Sequence, residues 1–225
     1  MLKRYLKEQK TIPENAIIDS LIDHTNIDDE EIDILKQIIT GINKLNGEQI
    51  TNYVQRIKSI NNESQLVFEK ITLKIIKSNF SHEKYTDILQ LHQKIDLTSR
   101  YVSKTAEHLN TYIKIESKMP EKIYLEISKL INIIITMHQN LKLSLESYLD
   151  TPNKTLAYVH EIFENEKKTA SLFRLLKEKS YILANNKELK LGSLSCLENT
   201  YNDLENISFN ILNCGIRVEC LLLYH

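Results

Sequence analysis

The sequence predicts an all-α protein: an up-and-down bundle of about six long helices with a short N-terminal helical arm. Three observations carry that prediction. The 225 residues include only four Gly and three Pro and no Trp, while Leu and Ile supply 31 each. Seven breakers cannot make the turns of a sandwich or barrel, and so many branched apolar residues exclude disorder. Apolar residues then recur at alternating spacings of three and four over long stretches, which is the seam of helices packed nearly parallel or antiparallel. Finally, short breaks separate these stretches, which makes successive helices antiparallel neighbours.

Each element can be justified in order. Residues 1–26 read as an arm or short helix, amphipathic and charged at its start. Asp28 and Glu31 have the spacing of a capping box, so a first long helix is expected over 29–46. Gly47 ends it, and a second helix over 48–78 carries the seam Ile50, Tyr53, Ile57, Ile60, Ser64, Val67 and Ile71. Asn79–Ser81 is a break, with Ser81 the expected N-cap of a helix over 82–116. That third helix has the most regular seam: Ile88, His92, Ile95, Ser99, Val102, Ala106, Leu109 and Ile113. Pro120 and Pro152 fit the first turns of helices over 120–149 and 152–184, where a missing N–H costs nothing, with Thr151 a candidate N-cap. Asn185–Asn186 and Gly192 introduce the last helix, 188–223. The bundle proper spans 27–225, and its pattern suggests two three-helix repeats, 27–117 and 118–225.

Charge excludes more than it assigns. There are 29 basic and 30 acidic residues, 16 and 17 of them before residue 118 and 13 and 13 after. No basic stripe is available for nucleic acid. The dense acidic run Asp28–Asp33 reads as favourable charge at a helix N-terminus. No apolar run reaches the roughly 20 residues of a membrane span, so membrane insertion is not expected. The N-terminus lacks a secretory h-region, and three cysteines without CxxC spacing fit a reducing compartment, so a cytoplasmic address is expected.

Motifs for catalysis are missing: there is no phosphate-cradling Gly loop, HExxH or GxSxG. Two His–acid pairs at helical spacing, His92 with Asp96 and His160 with Glu164, put two metal-ligand types on one helix face. The eleven tyrosines lie mostly at packing positions and read as core or boundary residues.

Four stretches carry a wider similarity. They are Ile60–Val67, Asp87–Val102, Val159–Lys168 and Leu197–Asn202, and with their order along the helices the chain resembles the PhoU-like family, in its phosphate-transport-regulator branch. The resemblance covers roughly residues 29–222. It implies a carboxylate pair, Glu or Asp followed four residues on by Asp, in every stretch, with facing helices completing a multinuclear metal cluster. Here the first acids are Glu63, Asp96, Glu164 and Glu198, with His92 and His160 as auxiliary ligands. The second acids are replaced by Val67, Arg100, Lys168 and Asn202. Losing half the carboxylates and adding Arg and Lys weakens a cation site and offers the intrahelical pairs Asp96–Arg100 and Glu164–Lys168 instead.

The expectation is therefore a non-enzymatic regulatory or accessory protein of phosphate transport that contacts a membrane phosphate permease from the cytoplasm, with no cofactor. Two alternatives stand beside it: a structural or homodimerising bundle unrelated to phosphate, and a ferritin-like protein holding a divalent or trivalent metal on the surviving acids.

Overall fold

The computed structural model describes residues 12–116 and 118–224. The described residues form six helices: α1 (Glu14–Gly41), α2 (Gly47–Ile76), α3 (His82–Ile115), α4 (Glu121–Ser147), α5 (Pro152–Asn185) and α6 (Leu191–Leu222). Among the described residues there is no strand, only an isolated parallel bridge between Ile12 and Ser78. No helix among them is long and apolar enough to cross a membrane.

Five of the six helices fall where the seams place them. Helix α1 does not. It starts at Glu14, after Pro13, and runs without interruption through residues 26–29 to Gly41. The expected capped start at Asp28 is therefore mid-helix, and the boundary between an arm and the bundle at residues 26–27 does not exist as a break. Residues 1–11 of the expected arm lie outside the described residues. The physical reason is visible in the buried face of α1, which continues Ile17, Leu21, Asp28, Ile32, Leu35 and Ile39 at helical spacing, with His24, Thr25 and Glu31 also inward. Four polar residues occupy core positions and hide the periodicity.

The ends of the helices follow their sequence signals unevenly. Asn46 and Gln49 form a reciprocal capping box on α2, with Asn46 Oδ1 accepting from the Gln49 N–H at 2.8 Å and Gln49 Oε1 accepting from the Asn46 N–H at 3.0 Å. This pair closes two orphan N–H groups that the sequence reading missed. Ser81 caps α3 as expected, accepting from the Lys84 N–H at 3.3 Å. Thr151 stands at the N-cap position of α5 but its side chain makes no capping bond among the described residues. It donates to the Ser147 carbonyl instead, at 3.4 Å.

Two sets of three consecutive helices, here called units, are each in mutual contact. Helices α1, α2 and α3 all touch one another, as do α4, α5 and α6. The units meet through α1 against α4 and through α3 against α6, the latter being the most extensive packing in the molecule. Corresponding helices of the two units thus face each other. Ile88, Leu91, Ile95 and Val102 of α3 and Leu204, Ile207, Ile211 and Val218 of α6 are all fully or almost fully buried.

Candidate functional site

The residues singled out by sequence do not converge. Glu63 is exposed on α2, and Val67 packs partly buried against the core. Glu164 bonds Lys167 at 2.6 Å, one residue earlier than the expected partner, while Lys168 donates to Asn165 Oδ1 at 2.9 Å. Glu198 accepts from the Tyr181 hydroxyl at 2.6 Å. Asn202 and His160 are exposed. Of the four acids Asp96 alone lies in the interior, and it forms the expected pair with Arg100 at 2.8 Å. No group of three or more His, Cys, Asp or Glu among the described residues is arranged to hold a metal ion.

His92 is buried but faces away from a ligand role with Asp96. Its Nε2 lies 3.0 Å from the Phe68 carbonyl and 3.2 Å from Thr72 Oγ1, and the ring stacks on Phe68 at 4.3 Å. A carbonyl only accepts, so Nε2 carries the proton. Burial depresses the imidazole to about 4. Its neighbour His24, bonded to Ser64 Oγ at 2.8 Å, is pushed down to about 3 by burial and then by His92. Both rings are therefore neutral at neutral pH, as buried histidines beside each other must be.

The polar site that the structure does build was not foreseen. Asp28 and Glu31, read from sequence as favourable charge at a helix N-terminus, are fully buried on the inner face of α1. All four of their carboxyl oxygens lack a hydrogen-bond partner among the described residues. Asp96 joins them from α3, 4% exposed. Burial first, then the charges of Glu31, Asp96 and Asp29, hold the Asp28 carboxyl well above the usual range. Glu31 is pushed up to about 8, chiefly by burial and further by Asp96 and Glu30. The Ser99 hydroxyl, the largest influence on Glu31 after burial, works the other way and lowers it, and it also accepts from Asn61 Nδ2 at 2.7 Å. The Cys214 thiol of α6 is raised as well, by burial and then by Asp28.

The acids of this run separate by direction around the helix. Glu30 points out to Arg56 of α2 at 2.6 Å. Asp29 points toward α4, where its Oδ1 takes a hydrogen bond from His138 Nδ1 at 2.7 Å and its Oδ2 one from Lys142 Nζ at 3.1 Å. Burial alone raises Asp29, but these two bonds outweigh it and hold its carboxyl below the usual range. The other ring nitrogen, His138 Nε2, points inward with no hydrogen bond among the described residues, 4.0 Å from Asp28 Oδ2. A cleft of about 480 Å³ between α1 and α4 reaches this ring from outside, lined by Asp29, Asp33, His138, Lys142 and Glu146 among others. His138 is thus the wall between solvent and the buried carboxyls.

The other unit pairs several of its interior hydroxyls, while Ser128 Oγ, Asp203 Oδ2 and Asn210 Nδ2 have no hydrogen-bond partner among the described residues. Thr169 and Ser208 bond at 2.9 Å, and Ser180 bonds the Tyr201 hydroxyl at 2.9 Å. Asp28 and Glu31 on α1 differ in that both oxygens of each carboxyl lack a partner among the described residues.

No family model matches the sequence, and no curated protein matches it. Solved structures do. The fold is that of PhoU-like proteins. The chain is similar to a PhoU-like protein from Shewanella oneidensis MR-1 with a TM-score of 0.79 at 14% identity, covering 93% of this chain and all of that one. It is similar as well to a second protein of that organism, described as a candidate PhoU-like phosphate regulatory protein, with a TM-score of 0.78 at 14% identity and the same coverage.

Proposed function

We propose that this chain is a non-enzymatic regulatory or accessory protein of phosphate transport, acting from the cytoplasm on a membrane phosphate permease. The observation that carries the reading is the likeness of fold over 93% of the chain to PhoU-like proteins, one of them described as a candidate phosphate regulator. Fold likeness alone is a warrant by analogy, and two features of the site agree with it. The positions where the resembled family keeps metal carboxylates are spread over four helices and engaged with Arg100, Lys167 and Tyr181. Among the described residues no three His, Cys, Asp or Glu side chains are grouped so as to hold a metal ion. In this reading the protein works by contact and conformation, without a multinuclear metal cluster.

The test is direct. Cells lacking the protein are expected to show altered phosphate uptake, and a tagged chain is expected to retain a phosphate permease after crosslinking. Unchanged uptake together with recovery of no permease ends the reading. Elemental analysis after gentle purification is expected to find iron, manganese and zinc well below one per chain, and a stoichiometric metal restores the cluster to consideration.

A further inference from the structure

We propose that Asp28 and Glu31, buried at the seam between the two three-helix units, form a proton-operated latch: uncharged, they let α1 close on α3 and α4, and ionised, they push that seam open. The inference does not depend on any role in phosphate transport.

The geometry asks for this. Two carboxyl groups with no exposure and no hydrogen-bond partner among the described residues cannot both be anions in a closed interior, because an isolated buried carboxylate costs many kcal/mol. The groups facing them do not provide the missing charge. From α3 come Asp96, already bonded to Arg100, and Lys94, directed at Asn210 Oδ1 at 3.5 Å. On α2, Arg56 and Lys74 are engaged elsewhere, with Glu30 and Ser20. From α4 come His138 and Lys142, which share Asp29. From α6 comes the Cys214 thiol, which adds no positive charge. The neutral imidazoles of His24 and His92 complete the surroundings.

A path for the proton is also present. Asp29 is a carboxylate and only accepts, so His138 Nδ1 carries hydrogen, and whenever the ring holds that one proton alone the lone pair of Nε2 faces Asp28. Unloading the latch breaks the Asp28 O–H bond and forms Nε2–H. The Nδ1 proton passes to Asp29 Oδ1 and from there to water in the cleft. One proton leaves, Asp28 is left as the anion, and the ring is left as its other neutral tautomer. Glu31, three residues on, is the second charge that the seam then has to hold.

The direction of the pH effect follows from linkage. Native Glu31 titrates near 8 against an ordinary 4.5, and Asp28 is raised as well. Both hold protons in the folded state that the unfolded chain has already released, so stability is full below about pH 4.5 and falls as pH rises toward 8 and beyond.

The experiment compares the full chain with its Glu31→Gln and Asp28→Asn/Glu31→Gln variants, which keep shape and remove the titration. Between pH 6 and pH 9 the wild-type melting temperature is expected to drop by more than about 5 °C, and that of the variants to change far less. Amide hydrogen exchange in the middle of α1 and α4, referenced to the variants at each pH, is expected to accelerate at least tenfold in the wild type alone. If the variants do not fold, the wild type still decides the matter: its infrared spectrum should hold a protonated-carboxyl band at pH 6 that is gone at pH 9. Parallel pH profiles for wild type and variants, or no such band at pH 6, would overturn the proposal.

Discussion

Asp29 and its neighbour Asp28 differ by one position and take opposite electrostatic roles. A residue step turns the side chain about 100° around the helix, which moves it from a site with two donors to a site with none. Asp29 favours folding as an anion, and its contribution is present above about pH 3.8, the ordinary carboxyl value, and lost as pH falls through its lower native value. Asp29→Asn keeps an acceptor for His138 but removes the charge and the second acceptor, the one used by Lys142. It is expected to cost about 1 kcal/mol at pH 7, with the deficit shrinking below pH 4, as urea unfolding at the two pH values will read. The sequence could not separate these roles, because five acids within six residues read alike until the helix carrying them is known to extend in both directions. The one signal was negative: Asp28 and Glu31 are three apart and align with Leu21, Thr25, Leu35 and Ile38, at core spacing, so a longer first helix would have placed them inward.

At the level of elements, seams of apolar residues were sufficient wherever they were unbroken. Helices α3 and α6 show this best, and their mutual packing is what those seams require. Helix α1 failed the same test because His24, Thr25, Asp28 and Glu31 replace four apolar positions in succession. Capping was less legible than packing. Asn46 and Gln49 were readable as a capping box and passed over for Gly47, whereas Thr151 has the right chemistry and position but spends its hydroxyl on the preceding turn. The two threonine and asparagine sites therefore separate by measurement. Asn46→Ala is expected to lose about 1 kcal/mol in chemical denaturation. Thr151→Ala should stay within about 0.5 kcal/mol.

For the molecule as a whole, the resemblance drawn from four short stretches was sufficient for the fold and insufficient for the site. Spacing along one helix says which residues share a face, but not what the face meets. Asp96 meets two further acids from α1, whereas Glu164 and Glu198 remain at the surface with partners of their own. The pairing of equivalent helices across the molecule is a property of topology, so no local motif encodes it. Its packing is expected to dominate stability. Ile211→Ala, at a fully buried position on α6, should cost 2–5 kcal/mol by denaturant unfolding, well above the cost of any cap.

One arrangement at the ends of α1 bears on how far that molecule can move. Near its C-terminal end, Asn43 makes two hydrogen bonds to Met119, donating to its carbonyl at 3.1 Å and accepting from its N–H at 2.7 Å, which ties the turn after α1 to the segment before α4. Near its N-terminal end, Glu14 receives the Tyr148 hydroxyl at 2.9 Å and Lys84 at 2.6 Å. The helix is anchored like a plank fixed at both ends with its load at the centre. Repulsion at Asp28 and Glu31 would then bow it outward between fixed supports, admitting water at mid-span while the chain keeps its outline. A deflection of that kind returns when the load is removed.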